Sequence, residues 1–138
     1  MIEDCAEAHG AEYKSKKIGS FSHIACFSFF ANKIITTGEG GMCLTNDHDL
    51  YNKMLVLRDH GMSKKKKYWH EMVGFNYRMT NLQASIGVAQ IERIQEILSE
   101  RQKIENLYRK HLSDIKELSF QNILDENKKN YLVSKCSH

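Results

Sequence analysis

The chain has 138 residues, 41% of them hydrophobic and 27% charged, with a formal net charge of +3. Such a composition describes one modest soluble, globular domain. The charge excess sits mostly in "KKKK" (Lys64 to Lys67), which lacks the basic stripe of a nucleic-acid binder and reads as a solvated loop.

No apolar run approaches the length of a transmembrane helix. The opening "MIEDCAEAHG" has no basic segment followed by an apolar core, so it is not a signal peptide. A cytoplasmic protein with no nucleic-acid or membrane partner is expected. The four cysteines, Cys5, Cys26, Cys43 and Cys136, form no CxxC pair. They read as buried thiols in a reducing compartment rather than disulfides or zinc ligands. The seven histidines also lack ligand spacing, and no metal site is expected.

In chain order, "MIED" predicts three residues of strand and then Asp4, just past its carboxyl end. "HIACFSFF" (His23 to Phe30) is a continuous apolar run bounded by turn signals, which suits a buried strand. "GGMCLT" (Gly40 to Thr45) predicts another. "NDHDLYNKMLVLRDHG" predicts a helix with Asn46 as N-cap, Asp49 in the first turn, one face of Leu50, Met54 and Leu57, and Gly61 as a left-handed C-terminal cap.

Thr80 and Gln83 in "TNLQ" make a capping box. Leu82, Ile86, Ile94, Ile97, Ile104 and Leu107 then recur at helical spacing to about Leu112. A helix of that extent is roughly 45 Å long, enough to bridge two domains or to pack along a partner. A polar loop and one more strand, "YLVS", follow. The strands at both ends start or stop abruptly, which suggests a piece of a larger protein. On its own such a piece is expected to be poorly soluble and inactive, with unpaired strand edges and an apolar helix face in water.

Lys33 stands between the aromatic-rich strand and the glycines of "GEGG". A lysine can act as a nucleophile when burial lowers its pKa, and it forms Schiff bases with carbonyls. Asp4 and Lys33 both follow strands, and ligands of open α/β sheets bind at such strand ends. Pyridoxal phosphate needs a lysine for its aldehyde, a carboxylate facing its ring nitrogen and donors for its phosphate. Lys33, Asp4 and Ser28 could supply them. Taken singly, each has an ordinary alternative: a surface lysine, a capping aspartate, a serine filling a strand. "GEGG" has no following lysine–serine pair of a P-loop, so its glycines read as turn and close-approach positions.

The combination is more telling than its parts. "IEDCAEAHGAEYKSKKIGSFSHIACFSFFANKIITTGEGGMCLTND", "RDHG" and "YWHEMVGFNYRMTNLQASIGVAQIERI" resemble the DegT/StrS sugar-nucleotide aminotransferases, which are fold-type-I pyridoxal phosphate enzymes. The resemblance runs to about Leu112. It implies an α/β fold: part of the large domain, a mixed sheet flanked by helices, then a long helix leading to a small C-terminal domain. Residues 1–95 would be the second half of the cofactor domain, 96–112 the continuing helix, and 113–138 the start of the small domain.

The resemblance also implies roles. Lys33 matches the Schiff-base lysine, which then moves a proton between substrate and cofactor carbons. Asp4 matches the carboxylate on the pyridine nitrogen, Ser28 a phosphate-binding serine, and Asn76 an asparagine that reaches the phosphate of a neighbouring subunit's cofactor. Glu7 stands where many members have glutamine near the cofactor hydroxyl, with a surface charge as its alternative. His9 and Arg78 have packing or ion pairing as theirs. A homodimer with shared sites is implied, with glutamate as amino donor and a nucleotide-linked keto-sugar as acceptor. The motifs look most like the branch that aminates C4 of a GDP-linked 4-keto-6-deoxy-hexose. A related 3-dehydratase would carry histidine in place of Lys33. A non-catalytic remnant of the fold is the third reading.

Overall fold

The structure is a computed structural model and describes residues 1–120. Its centre is a three-stranded sheet of β1 (Ile2–Asp4), β4 (Ile24–Ser28) and β5 (Gly41–Leu44) in the order β1-β4-β5. β1 pairs with β4 in parallel, Asp4 opposite Cys26, and β5 returns antiparallel to β4, Cys26 opposite Cys43. The sheet is therefore mixed, and the three expected strands are all present. The "YLVS" strand lies outside the described residues.

Between β1 and β4 the chain makes a small hairpin, β2 (Glu12–Tyr13) with β3 (Lys16–Lys17). Its two turn residues, Lys14 and Ser15, both have positive φ (48° and 62°). That is the geometry of a type I′ turn, which glycine and asparagine usually supply. Glu3 closes the next loop: its carboxylate accepts from the N–H groups of Gly19, Phe21 and Ser22 at 2.7–2.8 Å. Burial alone would raise the Glu3 pKa, but these donors outweigh it and hold the carboxyl below its ordinary value.

Helix α1 spans His48–Leu57. Its N-cap is Asp47 rather than the expected Asn46. The Asp47 carboxylate accepts from the N–H groups of Asp49 and Leu50 at 2.9 and 3.0 Å, and a negative cap also complements the helix dipole. Gly61, at φ 69°, donates its N–H to the Val56 carbonyl at 2.9 Å, as a C-terminal glycine should. It has a second reason to be glycine, because a Cβ there would run into the Met72 carbonyl.

Segments 57–63 and 69–77 then run back to back. His60 donates to Phe75, Tyr77 to Arg58 and Glu71 to Gly61, at 2.8–3.0 Å, and Asp59 bridges to Asn76. The four lysines of the intervening loop are exposed. Lys66 lies over the Trp69 ring and Lys67 over Tyr68.

The Thr80–Gln83 capping box forms as expected. The long helix is not continuous, however: α2 (Asn81–Glu92) and α3 (Ile94–Leu112) meet at Arg93, whose backbone leaves the helical region (φ −105°, ψ 13°). The break falls between two anchors. Gln90 holds α2 to Thr36, and Leu98 of α3 is buried under Gly10, where a Cβ would strike its side chain.

The apolar face of α2 lies in water, as expected, and a more polar face packs instead. Leu82 and Ile86 are exposed, and Gln83, Gly87 and Gln90 turn inward. These glutamines satisfy backbone groups of an irregular loop that no ladder could serve. The Gln90 Oε1 accepts from the Thr36 N–H at 3.1 Å, and the Gln83 amide donates to the Glu39 carbonyl at 3.2 Å. Buried positions among the described residues include Cys5, His9, Ala11, Ala25, Phe29, Ile35, Thr37 and Leu98. Cys5 is thus a buried thiol as expected, but Cys26 is half-buried and Cys43 exposed, because β5 is the sheet's edge. Cys136 lies outside the described residues.

Candidate active site

Side chains alternate across a strand and share a face with their in-register neighbours. Asp4, Cys26, Ser28 and Cys43 therefore project from one face of the sheet, and Glu3, Ala25 and Phe27 from the other. Asp4 closes β1 at its carboxyl end, where it caps the following turn by accepting from the Ala6 N–H at 3.1 Å. Ser28 closes the parallel neighbour β4, and its hydroxyl accepts from the Phe30 N–H at 3.3 Å. A carboxylate and a hydroxyl thus stand at the same end of two adjacent parallel strands.

Past Ser28 the chain makes a closed loop. Thr37 N–H and the Thr36 hydroxyl both bond to the Phe29 carbonyl, at 2.9 and 3.0 Å, and Phe29 N–H donates to Gly40 at 2.9 Å. Gly40 must be glycine: its φ is 141°, and a Cβ would press within 2.7 Å of the Thr37 hydroxyl. Lys33 sits in this loop, its own N–H tied to Phe30 at 3.0 Å. Its side chain is only 13% exposed, and its ammonium is ion-paired with the Glu7 carboxylate. Glu7 follows β1, so the pair joins the segments just beyond the two parallel strands.

His9 lies beside this pair. It is buried, its ring packed at 5.4 Å from Phe27 and 5.9 Å from Phe29, and neither ring nitrogen has a hydrogen-bond partner among the described residues. Burial pushes its pKa down, the Lys33 charge adds to that and Glu7 opposes it, so the ring is neutral near pH 7. Packing is thus the role the structure gives His9. Arg78 forms an exposed ion pair with Asp59 at 3.3 Å.

The structure brings Asp4, Glu7, Ser28 and Lys33 to one end of the sheet. Asn76 stands elsewhere, exposed on the back-to-back segment opposite Asp59. No sequence signal marks Glu3, whose partners are backbone amides, nor the two inward glutamines of α2. A lysine amine, a carboxylate and a hydroxyl converging at two strand ends fit a group with an aldehyde, a basic ring nitrogen and a phosphate. They do not fit a metal ion, and no cluster of three or more His, Cys, Asp or Glu among the described residues could hold one. No helix of the described residues is long and apolar enough to cross a membrane.

Comparison with known proteins identifies the family. A GDP-perosamine synthase of Caulobacter vibrioides is 57% identical over 113 residues, covering 82% of this chain and 30% of that protein. A GDP-perosamine synthase of Escherichia coli O157:H7 is 48% identical over 115 residues, 83% of this chain and 32% of its own. Among solved structures, Helicobacter pylori PseC, an aminotransferase involved in the biosynthesis of pseudoaminic acid, superposes with a TM-score of 0.80 at 34% identity, over 86% of this chain and 33% of its own. The chain spans about a third of the length of the relatives it matches. Residues 1–137 match the DegT/DnrJ/EryC1/StrS aminotransferase family, and the chain belongs to that family.

Proposed function

We propose that this chain forms the cofactor-holding centre of a pyridoxal phosphate-dependent sugar-nucleotide aminotransferase. In this reading, residues 1–95 belong to the large domain, 96–112 to the connecting helix and 113–138 to the start of a small domain. Glutamate donates the amino group, and the acceptor is a GDP-linked 4-keto-6-deoxy-hexose. The observation that carries the reading is the half-buried Lys33 amine held beyond the strand ends that present Asp4 and Ser28. The choice of acceptor is supported by the 57% identity to a GDP-perosamine synthase.

When bound, pyridoxal phosphate supplies an electron sink that stabilises negative charge at the reacting carbon. The chain's own residues do the rest. The Lys33 Nζ would hold the group at its aldehyde and would serve as the general base and acid that moves the substrate proton. Asp4 would face the ring nitrogen and favour its protonated form. The Ser28 hydroxyl would donate to the phosphate. Glu7 holds the Lys33 ammonium whenever the amine is free, and so keeps it aimed at the reacting centre. Asn76, exposed on its own segment, reaches the phosphate in a second copy, which makes the working unit a homodimer with composite sites. Such an enzyme would work in the cytoplasm. Lys33 also disfavours the dehydratase reading, which requires histidine at that position.

The experiment is a chimaera in which residues 1–112 replace the matching segment of the Caulobacter vibrioides GDP-perosamine synthase. Glutamate-dependent amination of a GDP-linked 4-keto-6-deoxy-hexose is expected. A chimaera that folds cooperatively and binds pyridoxal phosphate but transfers no amino group to any keto-sugar nucleotide would overturn the proposal.

A further inference from the structure

Cys26 and Cys43 face each other across the antiparallel pair β4 and β5, with their sulfurs 3.8 Å apart. The ladder fixes what kind of pair they are. Phe29 N–H bonds to the Gly40 carbonyl opposite it, and hydrogen-bonded and non-hydrogen-bonded pairs alternate along an antiparallel ladder. Counting back three positions from Phe29 and Gly40 places Cys26 and Cys43 at a non-hydrogen-bonded pair. There the Cα atoms approach to about 4.5 Å, inside the roughly 4.4–6.8 Å that a disulfide spans. The bond can therefore close without moving either strand far.

The two thiols are unequal. Cys43 is exposed on the edge strand, and Cys26 is half-buried on the central one. Burial pushes the Cys26 thiol up, and its contact with Cys43 adds to that, which leaves Cys43 as the sulfur that meets an oxidant first. Cys5 is fully buried, out of reach of a dissolved oxidant, so it does not compete.

We propose that Cys26 and Cys43 form a reversible redox modification site, oxidised by a peroxide and reduced by a dithiol. In the first step the Cys43 thiolate attacks a peroxide oxygen and the O–O bond breaks. With hydrogen peroxide this leaves a sulfenic acid on Cys43 and releases hydroxide, which takes up the thiol's proton as water. In the second step the Cys26 thiolate attacks the Cys43 sulfur, the S–O bond breaks, a second water leaves and the disulfide forms. Two thiols lose two electrons and two protons, and one peroxide is reduced to two waters. A dithiol returns both electrons by exchange through a mixed disulfide. Transient bridges of this kind suit a reducing compartment, where structural disulfides do not persist. The bridge would tie the edge strand to β4 beside Asp4, which is in register with Cys26, and beside Ser28, two residues on.

The test treats the native chain with hydrogen peroxide, alkylates the remaining thiols and maps the peptides by mass. The expected result is one bridged pair joining the Cys26 and Cys43 peptides, lighter by two hydrogens, with two of the four thiols still alkylated. Dithiothreitol restores all four. Cys43→Ser removes the bridge and leaves Cys26 alkylatable, and Cys136→Ser leaves the bridge intact. The same treatment in guanidinium, where strand pairing is gone, scatters bridges among the cysteines. A native chain that shows the same scatter, that bridges through Cys136 or Cys5, or that carries oxidised Cys43 with Cys26 free would overturn the proposal.

Discussion

Lys33 and Glu7, twenty-six positions apart in the sequence, meet as an ion pair just beyond the carboxyl ends of β1 and β4. The lysine side chain is 13% exposed and the glutamate 61%, so the pair is open to solvent on one side. A pair of that kind is worth at most about 1 kcal/mol. In the proposed reading, its use is in aiming the amine more than in stability. Glu7→Ala should let an acylating reagent label Lys33 a few-fold faster in the cofactor-free chain, with the other lysines as internal controls. Unchanged labelling would show that Glu7 does not hold the amine.

Glu3 makes the fold sensitive to acid. Burial works against its charge, but the amides of Gly19, Phe21 and Ser22 bind the carboxylate and lower its pKa below the ordinary 4.5. A depressed carboxyl stabilises the fold above its unfolded pKa, and that contribution is lost as pH falls through the folded value. Unfolding measured between about pH 6 and pH 3 should show Glu3→Gln losing less stability on acidification than the unaltered chain. Parallel curves would rule Glu3 out as the cause.

His9 adds a second, higher window with the same sign. Its pKa is pushed below 6.5, chiefly by burial. The unfolded chain therefore binds the proton more readily, and stability falls as pH drops from about 6.5 towards the folded value. His9→Phe should flatten that limb, since it leaves no ring nitrogen to protonate. An unchanged slope there would assign the titration to another group.

Gly61 is held by two constraints, a left-handed backbone and the Met72 carbonyl in the space a Cβ would take. Gly61→Ala should cost at least about 1–2 kcal/mol from the backbone alone and disturb the ladder that carries Asn76. Denaturant unfolding measures the loss. A neutral substitution would mean that the 57–63 and 69–77 segments can separate freely.

If Asn76 serves a second copy, mixing inactive Lys33→Ala and Asn76→Ala versions of the chimaera should restore part of the activity, because one hybrid site keeps both groups. No recovery after demonstrated subunit exchange would place Asn76 in its own chain's site or in none.

The sheet was legible because its strands could be read from apolar runs, whereas the choice of Asp4, Ser28 and Lys33 rests on the family resemblance, since each residue taken alone has an ordinary alternative. The hairpin at Glu12–Lys17 was not legible, since Lys14 and Ser15 adopt positive φ without the glycine or asparagine that signals it. The break at Arg93 has no proline or glycine to announce it. The inward face of α2 carries no sequence signal, because hydrophobic periodicity finds apolar stripes, and here glutamines pack against the loop and satisfy its backbone. Asp47 displaced Asn46 as the cap by one residue, within the usual uncertainty of helix ends.

The central claim is that Lys33 is the amine that engages the cofactor. The direct measurement is borohydride reduction of the chimaera loaded with pyridoxal phosphate, followed by peptide mapping. A pyridoxyl group is expected on Lys33, and its loss in Lys33→Ala while cofactor still binds. A pyridoxyl group on another lysine, such as Lys53, would contradict it.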